Sequence, residues 1–175
     1  MTVRRALLTG ATTVALLVGC SVGPRTTFPA IGSTPGAPGD ATAVTRDRII
    51  SALGAVGLQA AEATRPYRPP EGPLLAAAPR TVLQATLSED PDHGFIVIYA
   101  FDSDVAAREA ANDHAAYLGT PVGRIQFPAG ARFVLRVAGP TVVFFWWTPG
   151  SAPDPRIASV DQALRTVGTE VAIPS

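Results

Sequence analysis

The chain contains no lysine, so all 14 of its basic residues are arginines. The absence of lysine excludes a Schiff-base mechanism and a phosphate-binding loop built on a lysine. Cysteine occurs once, at position 20, so no disulfide can form within one chain. The motifs of serine hydrolases, zinc proteases and dinucleotide-binding folds are also missing. These absences exclude the commonest enzyme designs. Without a disulfide, the stability of the chain must come from a packed core.

The first 20 residues have the features of an export signal. Arg4 and Arg5 precede an uncharged stretch over residues 6–18, and small residues lead to Cys20. As a helix, this stretch of about 13 residues spans roughly 20 Å, which is short of the ~30 Å hydrocarbon core of a bilayer. A membrane-spanning helix is therefore disfavoured.

The sequence Leu17-Val18-Gly19-Cys20 resembles the lipobox of bacterial lipoproteins. This resemblance implies cleavage between Gly19 and Cys20, with diacylglycerol on the Cys20 thiol and a further acyl chain, such as palmitate, on the new amino group. Two or three acyl chains hold a protein stably on a membrane. We therefore expect a lipid-anchored protein on the extracytoplasmic face of the cell membrane. An ordinary signal peptide cut elsewhere is the alternative, and the twin-arginine export route remains open.

Removal of the signal peptide, residues 1–19, makes the chain slightly acidic. The loss of Arg4 and Arg5 leaves 12 arginines against 14 acidic residues. Because nucleic-acid binding requires a basic surface, we expect no nucleic-acid partner. Residues 20–44 contain Cys20 and many prolines and glycines, which favour a flexible tether over a helix or a strand. Residues 45–175 are then long enough for a single globular domain.

The patterns within the domain predict an α+β fold. Capping residues and apolar stripes predict helices over residues 45–57, 102–119 and 154–168. Apolar runs and alternation predict strands over residues 58–61, 81–88, 95–101, 131–138, 141–148 and 170–173. We expect an antiparallel sheet with about three helices packed mainly on one face. The order hairpin then helix occurs twice, which indicates a duplicated ββα unit.

Two histidines are the candidates for chemistry. His93 lies in a turn with Glu89, Asp90 and Asp92, a composition that could bind a divalent cation but that a solvated turn explains better. His114 falls on the apolar face of the second predicted helix. A neutral core histidine bonded to a backbone carbonyl or to Tyr117 explains this position better than a general base does. No nucleophile pairs with either histidine in the sequence, and we expect no metal and no cofactor.

A binding face follows from the register of the last predicted hairpin. With Gly139 and Pro140 as the turn, Phe133 and Trp146 face the core. The opposite side carries Arg132, Val134, Arg136, Val143, Phe145 and Trp147. Arginines mixed with large apolar side chains are typical of exposed binding surfaces, so this side is the best candidate for a binding face. The alternative is that a predicted loop over residues 66–79, or a helix, covers these side chains.

The sequence as a whole favours a non-catalytic binding or interaction module of the cell envelope. Its partner would be a small or peptidic ligand, or an envelope protein. The alternative is an envelope enzyme that acts through His114 and nearby carboxylates. A cleft that holds His114 within hydrogen-bond reach of a carboxylate would favour the enzyme, whereas an open apolar sheet face would favour binding.

Overall fold

The structure is a computed structural model that describes residues 38–174, and this part of the chain forms one antiparallel sheet with five helices. The strands are β1 (Ala60–Glu62), β2 (Arg80–Ala85), β3 (Phe95–Ala100), β4 (Arg132–Ala138), β5 (Thr141–Trp147) and β6 (Thr169–Glu170). The helices are α1 (Pro38–Ala55), α2 (Pro73–Ala77), α3 (Asp104–Gly119), α4 (Pro121–Arg124) and α5 (Ile157–Leu164). The predicted α+β class and the antiparallel sheet are confirmed. The predicted signal peptide, the lipobox and Cys20 lie outside the described residues.

The centre of the sheet is formed by β3 and β5, in the strand order β1-β2-β3-β5-β4-β6. Every residue of β3 is buried, which explains why its sequence is apolar at each position. Val97 of β3 lies opposite Phe144 of β5. This pairing joins the β2–β3 hairpin to the β4–β5 hairpin.

The predicted register of the β4–β5 hairpin is confirmed. Phe133 lies opposite Trp146, as expected for a turn made of Gly139 and Pro140. Gly139 has a φ of 59°, a left-handed conformation that favours glycine and suits a tight hairpin turn.

The first helix begins earlier than the sequence indicated. α1 starts at Pro38, so residues 38–44, predicted as tether, belong to the helix. Proline is tolerated in the first turn of a helix, and Asp40 is stabilised by the helix dipole there. Thr45, at which the predicted helix began, is instead buried within α1, and its hydroxyl oxygen lies 2.8 Å from that of Thr141. Among residues 38–174, no helix combines the length and the apolar character needed to cross a membrane.

Helices cover both faces of the sheet, which corrects the expectation that they lie mainly on one. On the first face, α1 and α5 pack against the sheet through Ile49, Leu53, Val160 and Leu164. On the second face, α2 and α3 pack against it through Leu75, Ala107, Ala111 and Leu118. A central strand that is apolar throughout requires cover on both sides, and these helices provide it.

The placement of the helices also contradicts a ββα duplication. α3 follows the β2–β3 hairpin and α5 follows the β4–β5 hairpin, but the two helices lie on opposite faces. The rotation that superimposes one hairpin on the other keeps each face of the sheet on its own side. The two ββα segments are therefore not copies of one structure.

The side with the possible binding face is covered by α1 and α5, as the alternative of a covering helix predicted. Of its six residues, Arg132 is exposed, whereas the other five are buried: Val134, Arg136, Val143, Phe145 and Trp147. Nε and Nη2 of Arg136 donate to the carbonyls of Val167 and Gly168, each at 2.7 Å. Arg136, which the sequence pattern placed on the surface, thus donates hydrogen bonds to backbone carbonyls in the turn after α5.

Replacement of Trp147 by alanine tests this covered face. The Trp147 ring is packed under α1 and α5, and its Nε1 donates to the buried Asp161 carboxylate at 2.8 Å. We expect Trp147→Ala to lower the free energy of unfolding by about 3 to 5 kcal/mol, at least as much as Trp146→Ala. Urea unfolding measures both. As a control, Arg132→Ala removes only the exposed cation above the Trp147 ring and should cost less than about 1 kcal/mol. A Trp147→Ala protein as stable as Arg132→Ala would contradict the covered face.

Candidate functional site

One end of the sheet carries a cleft lined by aromatic and titratable side chains. Since β3 and β5 are antiparallel, the β2–β3 turn and the segment after β5 meet at this end. Two adjoining hollows share His93 and Trp146, and we call them together the His93 cleft. The niche, of about 90 Å³, is lined by residues that include Asp90, His93, Trp146, Trp147, Thr148 and Ser151. The groove, of about 370 Å³, is lined by residues that include Arg65, Tyr67, Asp92, His93, Phe95 and Trp146.

Asp90 and His93 form a hydrogen-bonded pair in this cleft. Nδ1 of His93 lies 2.5 Å from Oδ1 of Asp90, and because a carboxylate oxygen accepts, the hydrogen is on Nδ1. The Asp90 side chain is 3% exposed and that of His93 is 55% exposed. The buried carboxylate therefore orients an imidazole whose Nε2 remains available to a ligand.

The backbone of the β2–β3 turn brings the two residues together. The Asp90 amide donates to the Leu87 carbonyl, and the His93 amide donates weakly to the Asp90 carbonyl. Gly94 ends the turn with a φ of 81°, and a Cβ at this position would lie 3.0 Å from the Ala85 carbonyl oxygen. Only glycine fits this turn without strain.

Asp154 fixes the turn to the segment that precedes α5. One oxygen of the Asp154 carboxylate accepts from the Glu89 amide at 3.3 Å, and Nη2 of Arg156 donates to that oxygen at 2.6 Å. The same Nη2 also donates to the Ser88 hydroxyl. The hydrogen bonds from Arg156 hold the pKa of Asp154 well below its usual range. These contacts hold the two sides of the niche at a fixed separation.

The groove has a wall of aromatic side chains that are tied to one another. Tyr67 stacks on Phe95 with ring centres 4.2 Å apart, and Nε1 of Trp146 donates to the Tyr67 hydroxyl at 2.8 Å. Burial raises the pKa of Tyr67, so this hydroxyl stays protonated at neutral pH. The Arg65 guanidinium lies 5.0 Å from the centre of the Phe95 ring and pairs with Asp92 at 2.8 Å.

A buried glutamate holds the loop that supplies Tyr67. The Tyr99 hydroxyl donates to the Glu71 carboxylate at 2.6 Å, and Nε of Arg68 donates to its other oxygen at 2.8 Å. Burial and the hydrogen bond to Glu71 raise the pKa of Tyr99 far above its ordinary value. The loop is therefore anchored to the central strand β3, and the Tyr67 wall is part of a rigid frame.

The cleft can bind, but it lacks a paired nucleophile among the described residues. Ser151, which lines the niche, contacts the Thr148 carbonyl at 3.5 Å rather than His93. A serine activated for attack requires a hydrogen bond to its base. The His93 imidazole can donate, accept or carry charge, and the aromatic side chains can pack against an apolar or planar group.

A divalent cation does not fit the turn, although its composition could have supplied ligands. Asp92 is exposed and paired with Arg65, whereas Asp90 is buried and paired with His93. Within residues 38–174, no group of three or more histidine, cysteine, aspartate or glutamate side chains is placed to hold a metal ion. Asp90 and Asp92, two positions apart in the sequence, thus bond to different partners.

His114 lies in the core rather than in a cleft. Its Nδ1 accepts from the Gly72 amide at 3.1 Å, instead of the backbone carbonyl or Tyr117 partner that we expected. The hydrogen is therefore on Nε2, for which no partner is found among the described residues. Burial lowers the pKa of His114 to about 4. No carboxylate in the described chain bonds to the ring, so the geometry that would favour an enzyme is absent at His114.

Another hollow, of about 480 Å³, lies between α3 and the β6 edge. Its polar lining side chains, Asp104, Arg108, Asn112, Thr169 and Glu170, are all exposed. None of its lining residues is aromatic. Because no buried polar group faces this space, it lacks the fixed polar and apolar groups of a typical ligand site.

Comparisons of the chain with models of protein families, with curated proteins and with solved structures find no match. The site must therefore be judged on its own geometry. The sequence predicted Trp146 as a core residue, whereas Trp146 is only partly buried and lines the cleft. The sequence did not single out Arg65, Tyr67 and Ser151, which lie in loops. Arg65 directly precedes the proline-rich segment over residues 66–79 and Tyr67 lies within it, and no short-range pattern links that segment to the end of β5.

Acid unfolding tests the placement of His114. Because the pKa of His114 is lowered to about 4 in the folded protein, the unfolded chain binds the proton more readily. The neutral His114 side chain contributes its full share of the free energy of unfolding above about pH 6.5, and this share is lost as the pH falls towards about 4. His114→Asn removes this titration and retains an acceptor for the Gly72 amide. Between about pH 7 and pH 4.5, the wild type should lose about 2 to 3 kcal/mol more than His114→Asn in urea unfolding. Equal losses would show that His114 is not a neutral core residue.

Proposed function

We propose that this chain is a lipid-anchored protein of the extracytoplasmic membrane face that binds a small ligand in the His93 cleft. The anchor rests on the likeness of Leu17-Val18-Gly19-Cys20 to a lipobox, together with the basic and uncharged segments before it. The single observation that carries the binding role is the Asp90–His93 pair, a buried carboxylate that orients an exposed imidazole between two aromatic-lined hollows.

Two features of the cleft favour binding. Its polar groups are few, and contacts within the domain fix them, such as that of His93 with Asp90 and that of Arg65 with Asp92. Its wall is apolar but also carries two polar groups, the indole N–H of Trp146 and the hydroxyl of Tyr67. Both side chains are only partly buried. Ligand sites of proteins typically combine an apolar lining with a small number of oriented polar groups. The described chain pairs neither histidine with a nucleophile, so binding is the better supported role.

Substitution of Cys20 tests the anchor. Cys20 is the only thiol, so the Cys20→Ala precursor can receive no thioether-linked diacylglycerol. We expect it to incorporate no labelled palmitate in cells and to remain uncleaved or to be cut elsewhere. A Ser21→Ala precursor, changed at the next position, serves as the control and should be labelled normally. Labelled fatty acid on Cys20→Ala would overturn the anchor.

A tryptophan in the mouth of the niche tests the cleft. Ser151 lines the niche and is exposed, so Ser151→Trp should fill the space without loss of stability. Ser51→Trp makes the same change on the exposed surface of α1. Soluble fragments of the envelope, namely sugars, stem peptides and lipid head groups, are titrated while the indole N–H signals of Trp146 and Trp147 are followed by NMR.

We expect at least one class of fragment to shift these signals in the wild type and in Ser51→Trp, and to leave them unchanged in Ser151→Trp. The shift should saturate as the fragment is added, as binding to one site requires. Signals that respond to no fragment, or that respond alike in all three proteins, would overturn binding in the cleft.

A further inference from the structure

The niche contains a buried negative charge without an arginine partner. The carboxylate of Asp90 is bonded to His93 through one oxygen, and its other oxygen has no hydrogen-bond partner among the described residues. Of the arginines near the cleft, Arg65 pairs with Asp92, Arg156 pairs with Asp154, and Arg132 lies over the Trp147 ring. Burial of a carboxylate is costly unless a positive charge or several hydrogen bonds compensate it. A cation in the niche would supply that charge.

The walls of the niche suit an organic cation. Trp146 and Trp147 both line it, and the faces of indole rings attract positively charged groups. One cation of the chain already contacts the Trp147 ring, since the Arg132 guanidinium lies 5.5 Å from the ring centre. Aromatic rings beside a carboxylate are a combination that recognises ammonium groups.

The size of the niche limits what it can hold. Its volume of about 90 Å³ corresponds to roughly three water molecules, so a head group of a few heavy atoms fits. The adjoining groove, of about 370 Å³, offers space for the remainder of a ligand along Tyr67 and Trp146. A metal ion is a poorer fit, because the described part of the chain brings no three ligating side chains together.

We propose that the niche binds the ammonium group of a small organic molecule, with its charge held between Asp90 and the two tryptophans. Asp90 is almost fully buried, so water screens its charge only weakly. Binding therefore depends on the attraction between this carboxylate and a positive charge a short distance away in the niche. The inference rests on the proposed function of the His93 cleft and names the class of its ligand. The source of the ammonium group is a lipid head group or an amino sugar, which share this chemistry.

Choline and its uncharged carbon analogue dimethylbutanol provide the test, because they share shape and differ in charge. The chain has two tryptophans, and both line the niche, so their indole N–H signals report its occupancy directly. The full chain is titrated with each compound in a sugar-based detergent that carries no ammonium group. We expect choline to bind at least about tenfold more tightly than dimethylbutanol. This comparison requires no variant.

Asp90→Asn, which keeps the shape of the side chain and removes its charge, should abolish the preference for choline. Asp92→Asn makes the same change two residues away, at an exposed carboxylate, and should keep the preference. Glycerophosphoethanolamine and glucosamine, titrated in the same way, distinguish a lipid head group from an amino sugar.

Equal affinity for choline and dimethylbutanol would overturn the ammonium inference and leave the binding role of the cleft intact. Preference for choline that persists in a folded Asp90→Asn protein would overturn the role of the carboxylate. If no ammonium compound shifts either indole while another envelope fragment does, the ammonium inference alone fails. If no compound of any class does so, the proposed function fails with it.

Discussion

The pairing of β3 with β5 is the contact on which the rest of the fold depends. It joins two hairpins that are each local in sequence, and it places six consecutive buried residues, Phe95–Ala100, at the centre of the sheet. Because side chains alternate between the faces of a strand, an apolar central strand requires cover on both sides. α1 and α5 provide it on one face and α2 and α3 on the other. The same pairing brings the start of β3 next to the end of β5, and so creates the end of the sheet where the His93 cleft lies.

Local patterns in the sequence predicted the six strands and the three longer helices, because the physical causes of these elements are local, but they missed the short helices α2, within the predicted loop over residues 66–79, and α4. The turn at Gly139 and Pro140 sets the register of the β4–β5 hairpin, and the register places Phe133 opposite Trp146. The α+β class follows from the alternation of helix and strand patterns. The start of α1 was predicted too late, since proline and glycine near Pro38 suggested a tether, whereas proline is acceptable in the first helical turn.

The cover of each face and the site could not be predicted, because they depend on contacts distant in sequence. Arg136 was assigned to an exposed face, yet it binds carbonyls 31 and 32 residues further along the chain. Tyr67 reaches Trp146 across 79 residues, and Asp154 reaches Glu89 across 65. The turn that carries Asp90 and His93 was recognised as a turn, but its composition alone did not show that Asp90 is buried while Asp92 remains exposed.

The two ends of the strand order bear on how the domain can associate with further copies of itself. The edge strands are β1, with three residues, and β6, with two, and both end in a glutamate whose side chain is mostly exposed, Glu62 and Glu170. Long, uncharged edge strands are templates on which further copies add to a sheet, whereas short and charged edges oppose this. Contact between copies through helices and loops is therefore favoured over growth of the sheet at its edges.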